Sequence, residues 1–136
     1  MAAEALGGSG QDSVAVLDQA RGDTDVRVVE AVATAYGELR FAPAVPWLIG
    51  IAAGDGDRAA REAAVAALGA IGDDAARDTL MTLVGSAPPQ VRRRAVVALT
   101  VFDGPEVEAA VRSAASDRNP SVREAAEMIV GRHPTN

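Results

Sequence analysis

The residues that could support catalysis or metal binding are few in this sequence. The single histidine, His133, lies beside a proline near the end of the chain and has no nucleophile or metal ligand within sequence reach. Because the chain contains no cysteine, a thiol nucleophile, an iron–sulfur cluster and a Cys-ligated zinc site are excluded. Gly54-Asp55-Gly56-Asp57 lacks the strand–loop–helix context of a phosphate-binding loop. The sequence therefore predicts no catalytic site, no metal site and no cofactor.

Arginine is the charged residue with a regular spacing. Arg61, Arg92 and Arg123 follow one another at intervals of 31 residues, and Arg27 holds the corresponding place in a looser first copy. A residue suited to beginning a helix stands four positions before each of the three, and an aliphatic residue stands seven positions after it. A two-helix unit repeated at this interval predicts a solenoid, in which each unit buries its apolar side against its neighbours.

The pattern is best formed over residues 57–85, which read as two amphipathic helices joined by the turn Gly72-Asp73-Asp74. Asp23 is the predicted N-cap of an earlier helix, and Gly37 is its predicted C-terminal glycine. About eight helices and no strand are expected, near residues 11–21, 23–37, 43–53, 57–69, 73–85, 88–101, 104–116 and 119–131. The predicted organisation is a flexible leader 1–10, a single repeat domain 11–131 (half-repeat 11–22, repeats 23–54, 55–86 and 87–117, half-repeat 118–131) and a tail 132–136.

The segments DRAAREAAVAALGAIGD (57–73), APAVPWLIGIA (42–52) and NPSVREAAEMIV (119–130) resemble the short HEAT repeats of the phycobilin-lyase-like type. The resemblance covers about residues 12–131. It implies an all-α fold, a right-handed α-solenoid of antiparallel helix pairs. It also implies that the repeat arginines are structural and bond turn aspartates or carbonyls between neighbouring units. The residues assigned this structural role are Arg27, Arg61, Arg92, Arg123, Asp23, Asp57 and Asp117.

The second helix of each unit is expected to line the concave surface of such a solenoid. The candidate partner-binding residues on these helices are Trp47, Ile51, Asp78, Thr79, Thr82 and Leu83. Exposed aromatic and aliphatic side chains in a cluster are typical of partner surfaces. Two alternatives stay open at this point: Trp47 could instead cap the N-terminal core against Val14 and Leu17, and the polar residues could be ordinary solvated surface.

The function predicted from this organisation is a non-catalytic protein-interaction module, a scaffold, adaptor or assembly factor that binds another protein or peptide. The resemblance also implies an alternative, an accessory subunit of a phycobilin or tetrapyrrole lyase. A third reading, a HEAT-like DNA-binding protein or DNA glycosylase, is disfavoured because the net charge is −6 and phosphate binding needs concentrated basic charge. Arg92-Arg93-Arg94 is interpreted as a solvated helix face.

The remaining predictions concern location and assembly. No signal sequence or apolar membrane span is evident, so a cytoplasmic protein without a membrane partner is expected. The last helix begins a unit but lacks its pair, so Ile129 or Val130 is expected to be incompletely covered. Two outcomes are open at this edge: Glu124 and Glu127 give the terminal helix a polar outer face, or the edge meets another chain, as in a homodimer through the terminal helix.

Overall fold

The computed structural model describes residues 11–132, and the side chains of residues 14–131. Within this range the backbone forms eight α-helices and no strand, so the prediction of an all-α solenoid is confirmed. Short 3₁₀ turns lead into the third and fifth helices and follow the sixth. The helices are α1 Gln11–Ala20, α2 Val26–Leu39, α3 Val45–Ala53, α4 Arg58–Ile71, α5 Arg77–Ser86, α6 Pro89–Ala98, α7 Pro105–Ala114 and α8 Pro120–Arg132.

Two predicted end segments fall largely beyond this range. The leader, residues 1–10, and residues 133–136 of the tail lie outside the described residues. Arg132, assigned to the tail, belongs instead to α8.

The turn between α4 and α5 is built by local side-chain and backbone bonds. The Asp57 carboxylate accepts a hydrogen bond from the Ala60 N–H at 3.1 Å and so caps the start of α4. Gly72 ends α4 in a left-handed conformation with φ of 69°. Asp73 then accepts from the Ala75 N–H at 2.9 Å and begins the turn into α5. The predicted turn is confirmed, with α4 running two residues past its predicted end.

The predicted ends of α2 are wrong. Its N-cap is Asp25, whose carboxylate accepts from the Arg27 N–H at 2.9 Å. The Asp23 carboxylate accepts from the Asp25 N–H at 2.8 Å, which orders the approach to the helix rather than capping it. The helix continues past Gly37 to Leu39, and Arg40 takes the left-handed terminal position with φ of 51°.

Gly37 lies inside α2, where it allows close packing against α4 and does not end the helix. A Cβ atom placed on Gly37 would lie 2.9 Å from Cα of Ala67 in α4. Gly69 repeats this arrangement one unit later, where an added Cβ would lie 2.9 Å from Cβ and 3.0 Å from Cα of Ala98. Glycine is therefore required at both places so that the backbones of α2, α4 and α6 can approach one another closely.

The helices form two layers, and neighbouring helices pack more closely in one layer than in the other. We call α2, α4, α6 and α8 the first helices and α1, α3, α5 and α7 the second helices. Each first helix packs on the next, and each second helix packs chiefly against the first helix that follows it in the chain. Neighbouring second helices contact one another much less, so grooves separate them. The largest fully buried side chains are Leu17, Val32, Tyr36, Leu48, Val65, Leu68, Leu80, Val91, Val96, Leu99 and Val122.

Gly37→Ala tests this packing. The new methyl group meets backbone atoms of α4 that cannot move aside singly, so we expect the free energy of unfolding to fall by about 1–3 kcal/mol. Urea denaturation followed by far-ultraviolet circular dichroism measures the change. The matched control is Gly50→Ala in α3, where nothing lies within 4 Å of an added Cβ. Alanine is the better helix former there, so the control should be neutral or stabilising by up to ~1 kcal/mol. Equal effects of the two substitutions would contradict the packing role.

Candidate functional site

Three of the four repeat arginines join a first helix to the end of the preceding second helix. The Arg61 side chain donates from Nε to the Ala52 carbonyl in α3 at 3.1 Å. The Arg92 side chain donates from Nη1 to the Ala87 carbonyl just after α5 at 2.8 Å. Arg123 donates from Nη1 to a carbonyl that follows α7, that of Asp117, at 2.8 Å. These bonds satisfy carbonyls that a helix end leaves without intrahelical partners.

The structural role predicted for Arg27 is wrong. Its side chain is 88% exposed and pairs at 3.4 Å with Asp25, two residues earlier in the same helix start. The reason is the later beginning of α2, which places Arg27 in the first turn, beside its own cap. Asp23 and Asp57 likewise bond to backbone N–H groups near them and not to a repeat arginine.

Of the three aspartates assigned a structural role, Asp117 is the one whose side chain receives a repeat arginine. The Arg92 guanidinium donates from Nε to Oδ2 at 2.9 Å and from Nη2 to Oδ1 at 3.0 Å. Both side chains are nearly buried, 6% and 11% exposed. The Asn119 N–H also donates to this carboxylate, at 2.8 Å. The hydrogen bonds from Arg92 hold the pKa of Asp117 below its usual value.

Trp47 belongs to an aromatic cluster with Tyr36 and Phe41, which the sequence pattern did not indicate. Tyr36 is fully buried; its ring stacks on Phe41 and meets the Trp47 ring edge-on, each with centroids 5.7 Å apart. The Tyr36 hydroxyl donates a hydrogen bond to the Asp18 carboxylate in α1, and burial raises the pKa of Tyr36. Trp47 is partly buried against the core. The edge-on contact with Tyr36 places the Trp47 ring against the core. The capping contact with Val14 and Leu17 stays a prediction.

The other candidate partner-binding residues are divided between surface and core. Asp78 and Thr82 are exposed, and Ile51 and Thr79 are partly buried. Leu83, expected on the surface, is 4% exposed and belongs to the core, which corrects that prediction. The sequence placed it by its correspondence with Ile51, but α5 turns this position toward the buried side.

A groove between α3 and α5 brings together four of the six candidates. Asp78, Thr79, Thr82 and Leu83 line it, while Trp47 and Ile51 lie outside. Its volume is about 500 Å³. The rest of its lining consists of Ala53, Gly54, Asp55, Arg61, Ser86 and Ala87. We call this space the α3–α5 groove; Leu83 gives it an apolar lining, and hydroxyl, carboxylate and guanidinium groups supply its polar lining.

A second, smaller groove lies at the C-terminal end of the array. Ile129 and Val130 of α8 line it together with Val107 and Val111 of α7, and its volume is about 250 Å³. Ile129 and Val130 are partly exposed, and the neighbouring Met128 is 61% exposed. The homodimer expected through this edge stays a prediction.

The described part of the chain bears on the metal site, the membrane span and the arginine run considered above. Among residues 11–132, no group of three or more His, Cys, Asp and Glu side chains is placed to hold a metal ion. No described helix has the length and apolar character needed to cross a bilayer. Arg94 pairs with Glu62 at 3.6 Å, and Arg93 is exposed, which agrees with a solvated face for these two residues. Arg92 is buried, so that interpretation is wrong for the first residue of the run.

Comparison with known proteins bears on the fold and its family. A model of HEAT repeats matches residues 13–99 and, in a second overlapping match, residues 80–135. The two matches together span nearly all of the described helices. A comparison with curated proteins finds no match for this chain.

The Arg92–Asp117 pair predicts a pH-dependent stability. The pKa of Asp117 is lowered on folding, so the stabilisation is present above the pKa of the unfolded side chain, about 3.9, and is lost as the pH falls through the folded value. Asp117→Asn leaves a nearly buried guanidinium without its charge partner and should cost about 3–5 kcal/mol at neutral pH. Urea denaturation at several pH values should show the difference from wild type shrinking below pH ~4.

The control for this prediction is Asp74→Asn. Asp74 also pairs with an arginine, Arg77 at 3.0 Å, but its side chain is 76% exposed. Solvent screening limits such a pair, so the control should cost less than about 1 kcal/mol at every pH tested. A cost for Asp117→Asn that stays constant down to pH ~2 would refute the linkage.

Proposed function

Since this chain belongs to the HEAT-repeat family, we propose that it is a non-catalytic protein-interaction module that holds a partner protein or peptide on the surface of its second helices. In this role it acts as a scaffold, adaptor or assembly factor. The observation that carries the proposal is the α3–α5 groove, because it gathers four candidate residues from one surface into a single concave space.

The lining of the groove suits a peptide chain. Binding sites combine apolar contact surface with a few polar groups that fix orientation. Ala53 supplies exposed apolar surface beside the nearly buried Leu83, and the hydroxyls of Thr79 and Thr82 stand one turn apart on α5. Arg61 and Asp78 add charges of opposite sign. An extended segment or a helix from a partner can lie between α3 and α5 and use all of these groups.

The layered packing favours the second helices as the binding surface. The first helices approach so closely at Gly37 and Gly69 that their backbones leave no room for a methyl group. The second helices stand apart, and the grooves lined by α3 and α5 and by α5 and α7 have volumes of about 500 and 380 Å³. A partner that enters these grooves contacts two units at once, so its binding depends on the spacing that the array fixes.

Thr82→Arg tests the proposed surface in affinity purification from the source cells followed by mass spectrometry. Thr82 is exposed at the groove, so the larger charged side chain should block it without disturbing the core. We expect recovery of the specific partner to fall by about tenfold or more, with an unchanged circular-dichroism spectrum. Substitutions at Leu83 or Trp47 are less informative because both side chains pack against the core.

Thr100→Arg is the matched control. Thr100 is also an exposed threonine, but it lies after α6, at the C-terminal groove. Proteins lost with Thr82→Arg and retained with Thr100→Arg are the partners of the α3–α5 groove. Recovery of the same proteins at the same levels by wild type and both variants would contradict the proposed binding surface.

A further inference from the structure

Resting on the proposed function, we infer that the α3–α5 groove recognises a carboxylate of the partner, and that the Arg61 guanidinium binds it. The partner is a protein segment that places an acidic side chain, an aspartate or a glutamate, in this groove. The inference comes from a comparison of two units within this one chain.

The unit that contains Arg92 provides the reference. Arg92 and Asp117 both line the next groove, between α5 and α7. There the guanidinium uses three nitrogens, two on the Asp117 carboxylate and one on the Ala87 carbonyl. This chain therefore shows which ligand a repeat arginine accepts at the edge of such a groove.

The unit that contains Arg61 lacks that ligand. Ser86 stands 31 residues before Asp117, as Arg61 stands 31 residues before Arg92. The Ser86 hydroxyl donates to the Thr82 carbonyl at 2.8 Å and forms no hydrogen bond with Arg61. Among the described residues, Arg61 makes one side-chain hydrogen bond, from Nε to the Ala52 carbonyl, and no ion pair. Its Nη1 and Nη2 groups carry four of the five guanidinium N–H donors.

Because Arg61 lies at a groove and has no internal carboxylate partner, its guanidinium can bind a carboxylate from another chain. Arg61 is a partly buried residue, and it lines the α3–α5 groove together with Thr82 and Ser86. Paired Nη groups match the two oxygens of a carboxylate, and such charge-assisted bonds are stronger than neutral ones. Partial burial weakens competition from water, so a carboxylate bound here gains more than it would on an open surface.

The surrounding charges favour a single carboxylate over a phosphate. Asp55 and Asp78 also line the groove, and neither forms an ion pair with Arg61 among the described residues. Two nearby negative charges repel a phosphate dianion more strongly than a monovalent carboxylate. They also favour basic or uncharged residues on either side of the partner's acidic residue. The net charge of −6 likewise favours a partner segment whose flanking residues are basic or uncharged.

Nuclear magnetic resonance titration of the isotope-labelled full-length protein tests the inference. The probe is the blocked tripeptide acetyl-Ala-Asp-Ala-amide, and acetyl-Ala-Asn-Ala-amide is the uncharged control. The aspartyl peptide should shift the Arg61 side-chain signal and the Thr82 and Ser86 amide signals, with a Kd on the order of millimolar. The Arg92 signal should stay in place because its guanidinium is already occupied. The asparaginyl peptide should shift none of these signals.

Two variants remove the site by opposite means. Arg61→Gln removes the guanidinium, and Ser86→Asp supplies an internal carboxylate at the position that Asp117 holds in the next unit. Each should weaken binding of the aspartyl peptide by on the order of tenfold or more. Thr100→Asp adds the same charge as Ser86→Asp at a distant exposed site and should bind like wild type.

Four results would overturn the inference, three of them from the peptide titrations. These three are an Arg61 signal that does not shift, an equal shift with the asparaginyl peptide, and undiminished binding by the folded Ser86→Asp variant. A larger Arg61 shift with inorganic phosphate than with the aspartyl peptide at equal concentration would also reject carboxylate as the ligand. This titration and the affinity purification can fail separately. If Thr82→Arg loses the partner but the aspartyl peptide does not shift the Arg61 signal, the groove remains the proposed binding surface and carboxylate recognition by Arg61 is rejected.

Discussion

The close approach of the first helices is the constraint on which the rest of the structure depends. At Gly37 and Gly69 the backbone of one helix lies against Ala67 or Ala98 of the next, at distances that exclude even one added methyl group. This contact fixes the separation of successive units in one layer. Small side chains make it possible, and dispersion contacts along tightly packed backbones stabilise it.

The second layer follows from the first. Each second helix packs against the first helix that comes after it, and neighbouring second helices are left apart. Arg61, Arg92 and Arg123 join the two layers by donating to carbonyls at the ends of second helices. The same arrangement therefore supplies rigidity on one surface and grooves on the other. The shape of these grooves is set by the packing of the array.

The differences between units are where this protein acquires individual properties. Arg92 and Asp117 close one groove edge with an internal, nearly buried ion pair. Arg61 has the equivalent position without the equivalent aspartate, because Ser86 replaces it. The N-terminal unit departs in another way: Tyr36 bonds to Asp18, and its ring packs with Phe41 and Trp47 to cover the end of the core. The common pattern supplies the fold, and the departures supply candidate functions.

The sequence by itself determined the helices, their order and the family, because turn caps and the 31-residue interval depend on neighbours along the chain. Only the tertiary structure decided that Gly37 lies inside α2, that Leu83 is buried, that Arg27 is exposed and that Tyr36 bonds to Asp18. The structure also decided that the Arg61 guanidinium forms no ion pair among the described residues, whereas the Arg92 guanidinium pairs with Asp117. Side-chain exposure depends on the separation and tilt of adjacent helices, which packing between units sets and local sequence does not specify.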